Sequence, residues 1–95
     1  MDLKSTKESL KVHVYHIPSD KTVPLHQHSN LDEIFYCIKG SGFGVLEDKE
    51  VALNVGDTFV APAGVMHSLR SDKEIYVTAL LVPVMDDRKE KVRAV

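Results

Sequence analysis

A single cysteine among 95 residues rules out an internal disulfide, and no CxxC pair offers a thiolate metal site. No run approaches the 18 apolar residues of a membrane-spanning helix. The opening stretch MDLKSTKESLK also lacks the apolar centre of a secretory leader. A cytoplasmic protein is the expectation. Neither sign of charge dominates: 12 Lys and Arg stand against 14 Asp and Glu, for a net charge of −2. The basic residues are scattered rather than striped, so the chain carries no electrostatic footprint for nucleic acid or an anionic membrane. Nothing reads as a helix-turn-helix, an internal repeat or a linker.

Helical periodicity is scarce as well. With 43% hydrophobic and 27% charged residues the composition is that of a folded protein. The length predicts one domain, residues 1–95, burying about 65% of the surface of its unfolded chain. Apolar residues recur with period two in VHVYHI (12–17), EIFYCI (33–38), GFGVLE (42–47), VALNV (51–55), TFVA (58–61) and EIYVTALLV (74–82). Turn formers separate these segments: Pro18-Ser19-Asp20, Gly40-Ser41-Gly42, Glu47 to Glu50, Gly56-Asp57, Pro62 to Gly64, and Ser71 to Lys73. Short strands so spaced predict an all-β sandwich or barrel. The charged tail DDRKEKVRAV, which contains residues 86–95, reads as a frayed helix or a disordered end. VTALLVPV (77–84) is apolar on both strand faces, which predicts a cover on its outer face. A second copy of the chain is the expected cover, giving a homodimer, with a folded-over terminal segment as the alternative.

The chemistry concentrates in PLHQHSNLDEIFYCIKG, residues 24–40. On an extended chain His26 and His28 aim to one side. Five residues after His28, Glu33 opens a strand whose same-face neighbours are Phe35 and Cys37. GDTFVAPAGVMHSL then supplies His67 just past the Pro62 to Gly64 turn. Three imidazoles and one carboxylate suit Fe, Mn, Co, Ni, Cu or Zn. Each piece alone has a plainer reading: an HxH on a surface loop, a strand-end carboxylate, a turn histidine.

The joint spacing resembles the cupin superfamily. The first cupin motif is matched by His26-x-His28, four residues, Glu33, six residues and Gly40. The second is matched by Gly56, Pro62, Gly64 and His67, after a fifteen-residue spacer over 41–55. The motifs lie within residues 20–71. Asp20 stands where the family has a glycine and Ser71 where it has an asparagine; both are turn-competent and neither is a ligand position.

This resemblance implies a double-stranded β-helix, a jelly-roll barrel, with His26, His28, Glu33 and His67 holding one divalent transition metal per chain. Four protein ligands would close a tetrahedral zinc site, whereas an octahedral ion keeps two open positions. Mn, Fe, Ni or Co is therefore favoured, with Zn as the alternative. Phe35, Cys37, Phe59 and Leu69 are candidate pocket walls, and Cys37 also reads as a small buried hydrophobe rather than a reactive thiol. The cupin thiol dioxygenases generally lack the glutamate ligand, so Glu33 argues against that subgroup. Arg70 alternates outward from His67. His13 and His16 read as surface residues, and Tyr15, Tyr36 and Tyr76 as residues of the sheet surface or dimer contact. No second carboxylate aims at the cavity, which disfavours reactions needing an acid/base pair. The leading expectation is a metal-dependent enzyme, dioxygenase-like or a decarboxylase, acting on a small carboxylate or other oxygen-rich molecule. The alternative is a non-catalytic binding or sensor module with a structural metal.

Overall fold

The computed structural model describes residues 11–21 and 23–84. The expected charged tail lies outside them. Six strands form: β1 (Lys11–Pro18), β2 (Leu31–Leu46), β3 (Glu50–Asn54), β4 (Thr58–Ala61), β5 (His67–Arg70) and β6 (Glu74–Pro83). All pairings are antiparallel. Four of the period-two segments become strands with shifts of only one residue at either end.

The other two segments behave differently. Residues 33–38 and 42–47 were expected as two strands around a Gly-Ser-Gly turn, yet they form one 16-residue strand. The chain bends there instead of reversing. The register of β2 against β6 slips between Cys37 and Lys39, a β-bulge, and Gly40 follows with φ 79°. A side chain at Gly40 would run into the carbonyl oxygen of Glu74. Glycine thus permits both the left-handed backbone and the close approach. β5 escaped the period-two reading because HSLR does not alternate, its first three residues all being buried.

The bend lets β2 serve two sheets. Its first part pairs with β6 on one side and β4 on the other, and β1 adds outside β6. Its second part pairs with β3 and β5. The sheets face each other across a core of Ile17, Phe35, Cys37, Leu53, Phe59, Ala61, Leu69, Ile75, Val77 and Ala79. In β6, buried residues alternate strictly with half-buried ones. The arrangement is an all-β, double-sheet barrel.

Candidate metal centre

Glu33 is the third residue of β2, and the alternation that buries Phe35 and Cys37 turns its carboxylate inward as well. His67 opens β5 and is 1% exposed. His26 and His67 exchange two backbone hydrogen bonds, His26 N–H to the His67 carbonyl at 2.9 Å and the reverse at 2.8 Å. Two residues 41 positions apart are thereby locked side by side.

The turn before His67 is clipped to the segment before Glu33. Val65 N–H donates to the Pro62 carbonyl at 3.0 Å, closing a tight turn with Gly64 at φ 83°. Left-handed backbone at that position requires glycine with little competition. Gly64 N–H donates to the His28 carbonyl at 2.7 Å, and Ala63 N–H to Asp32 Oδ1 at 2.8 Å. The second motif therefore holds the first through backbone bonds. Ser71 answers its departure from the family pattern by hydrogen bonding, since its hydroxyl donates to the Ser41 carbonyl at 2.6 Å.

One ligand atom from each of His26, His28, Glu33 and His67 lies within 4.8 Å of the others. Donors about 2.1 Å from a common ion stand about 3 to 4.2 Å apart, so a small side-chain adjustment closes the cage. The imidazoles are oriented from behind. His67 Nδ1 donates to the Val65 carbonyl at 2.9 Å, and His26 Nδ1 to the Pro24 carbonyl at 3.1 Å. Backbone anchors of this kind fix the tautomer and leave Nε2 as the ring nitrogen available to an ion.

For His67 that anchor has a consequence. Its Nε2 sits 3.0 Å from Glu33 Oε1, and His28 Nε2 sits 3.2 Å from the same oxygen. A neutral His67 whose proton is on Nδ1 presents a lone pair to a carboxylate lone pair. Only a second proton or a cation relieves that contact. The donor set therefore fits a divalent transition ion.

These groups open into a cavity of about 380 Å³. Phe35 and Leu69 form part of its wall, as the sequence suggested, together with Ile17, Val23 and Leu81. Cys37 and Phe59 do not. Cys37 has the right parity but lies deeper along β2, fully buried, with Sγ near the Lys39 and Gly40 carbonyls. Burial raises its thiol pKa, which keeps it protonated. Phe59 is stacked behind Phe35 at 5.9 Å and fills the space left by the missing side chain of Gly44. Sequence reasoning missed Tyr15, which lines the cavity, and it missed Lys21, Val23 and Ser68 on the same wall. The inward parity of Ile17 on β1 was the available signal for Tyr15. His13 and His16 are exposed; His16 also borders the cavity and pairs with Glu74 at 3.0 Å on the exposed surface. Arg70 points away, held by Glu50 and Asp72 and lying over the Phe43 ring at 4.2 Å.

A double-sheet barrel with three histidines and a glutamate converging inside it defines a class of small metal-centre barrels. The cupin domain family matches this chain over residues 13–83, and the chain belongs to that family. Acireductone dioxygenase of Branchiostoma floridae is 37% identical over 60 residues, covering 57% of this chain and 34% of its own. The chain thus spans about a third of the length of the curated relatives it matches. Among solved structures, a cupin protein from Bacteroides fragilis aligns with a TM-score of 0.73 at 23% identity, over 82% of this chain and 69% of its own. KdgF from Halomonas sp. aligns with a TM-score of 0.70 at 30% identity, over 84% and 74%.

Proposed function

We propose that this cupin is a metal-dependent enzyme of the dioxygenase type, acting on a small oxygen-rich molecule. His26, His28, Glu33 and His67 hold one divalent ion. The observation that carries this reading is the convergence of their four donor atoms, Glu33 and His67 buried, His28 half-buried and His26 exposed, with two imidazoles anchored from behind by backbone carbonyls. The similarity to acireductone dioxygenases supports the reaction class.

An octahedral ion with four protein donors has two exchangeable positions, which favours Mn, Fe, Ni or Co over Zn. When bound, such an ion supplies Lewis acidity and access to one-electron chemistry. The chain's own residues bind and orient. Apolar walls from Ile17, Phe35, Leu69 and Leu81 exclude bulk water, and Glu33 offsets one of the ion's two charges. Among the described residues Glu33 is the sole carboxylate lining the cavity, so no second carboxylate stands by as its acid/base partner. That favours oxygenation over decarboxylation. The protein works in the cytoplasm as a homodimer, joined through the outer face of the sheet that contains β6.

Metal analysis by inductively coupled plasma mass spectrometry on anaerobically purified protein tests the reading, with His67→Ala alongside. Close to one Fe, Mn, Ni or Co per chain is expected in the parent and at least a tenfold loss in the variant, followed by substrate-dependent oxygen uptake. Zinc at one per chain without oxygen uptake would point to a binding module. No retained metal after reconstitution refutes the proposal.

A further inference from the structure

The cavity has a second set of polar groups that the four donors do not account for. Beyond the donor set, the polar side chains on its wall are those of Tyr15, His16, Lys21 and Ser68. Two of these are already engaged. Ser68 Oγ donates to the Val23 carbonyl at 2.7 Å, and His16 pairs with Glu74 while stacking on Tyr76 at 4.1 Å. The Tyr15 hydroxyl and the Lys21 ammonium have no hydrogen-bond or ion-pair partner among the described residues. Both are donors, and both border the space in front of the candidate metal centre.

Charge points the same way. Three neutral imidazoles and one carboxylate around a divalent ion leave a net charge of +1, and Lys21 adds a second positive charge. Among the described residues no acid other than Glu33 lines the cavity to cancel it. Burial raises the Tyr15 phenol above its ordinary pKa of 10.0. The phenol therefore keeps its proton and can donate it to an anion. The remaining wall is apolar, so a bound anion finds few competing contacts.

Resting on the metal-centre reading, we propose that Tyr15 and Lys21 form the anion-recognition side of the site and select a small carboxylate as its substrate class. One end of the substrate takes the exchangeable positions, and its carboxylate oxygens accept hydrogen bonds from the phenol and the ammonium. A cavity of about 380 Å³ admits a molecule of that kind and excludes a polymer. Tyr15 and Lys21 bind substrate; neither is a ligand to the ion.

Calorimetric titration of the cobalt-loaded full chain tests this with two probes of equal size, oxalate and its uncharged counterpart oxamide. Metal content is measured on every sample. The parent is expected to bind oxalate more tightly than oxamide. Lys21→Met weakens oxalate roughly tenfold and leaves oxamide unchanged, Lys21→Arg restores it, and Tyr15→Phe weakens oxalate several-fold. Oxalate affinity falls with added salt in the parent and is flatter in Lys21→Met, a response that a merely structural role would not produce. Equal binding of both probes, or oxalate binding unmoved in both variants at full cobalt content, overturns the inference while leaving the metal centre intact. A parent that retains no cobalt overturns the metal-centre reading, and this inference with it.

Discussion

At the scale of single residues, the contact between His67 and Glu33 sets the strongest constraint. His67 is anchored through Nδ1, so its Nε2 faces Oε1 of a carboxylate that is itself 2% exposed. Glu33→Gln turns that encounter into an ordinary hydrogen bond, with the amide NH₂ donating to the imidazole lone pair. The metal-free variant is expected to be at least as stable as the metal-free parent. Stabilisation by metal should nearly vanish in it. For the parent, metal at 100 times its Kd contributes about 2.7 kcal/mol, or a rise in Tm of about 10 °C or more for a domain of this size. Differential scanning calorimetry with and without metal reads both effects, and an undiminished rise in the variant contradicts the role given to Glu33. All four residues of the candidate centre were legible in the sequence, because their fixed spacings single them out together. For Tyr15 the sequence offered only its parity with Ile17; that this face of β1 meets a cavity depends on β1 pairing with β6, a partner some sixty residues away.

At the scale of elements, β2 organises the molecule. It is hydrogen-bonded to four other strands and changes sheets at the bulge and Gly40. Gly40→Val forces a β-branched side chain onto left-handed backbone and against the Glu74 carbonyl. Such strain costs roughly 2 to 4 kcal/mol, read as a lower urea midpoint. A midpoint shift below about 0.5 kcal/mol would mean that β2 bends without needing glycine there. The Gly40-Ser41-Gly42 stretch also shows where local reading stops. Glycine signals a departure from regular strand, but whether the chain reverses or only bends depends on the strands alongside. Those strands are non-local.

At the scale of the whole molecule, the outward face of the sheet containing β6 is strongly apolar. Val12, Leu80, Ile34 and Val60 are in register as one row across β1, β6, β2 and β4, with Val12 55% and Val60 52% exposed. Val14, Tyr36 and Ile38 extend the same exposed surface. Contiguous apolar surface of this kind marks an interaction site. Val14→Glu is therefore expected to convert a dimer into a monomer by analytical ultracentrifugation, with an unchanged circular dichroism spectrum. A parent that sediments as a monomer at high concentration rules the dimer out. The doubly apolar pattern of residues 77–84 had pointed to this face, and the register now shows how far it extends beyond β6.

The way β2 ties both sheets together also divides the donor set. The turn that closes with the Leu46 N–H to Lys49 carbonyl bond lies between Glu33 and His67 in the chain. Severing the backbone between Asp48 and Lys49 would give two fragments, one carrying His26, His28 and Glu33 and the other His67. The first keeps β1 and β2 and the second keeps β3 to β6, so neither can complete a sheet without the other. Split in that way, the protein becomes a two-part reporter in which capture of an ion registers that the halves have found each other.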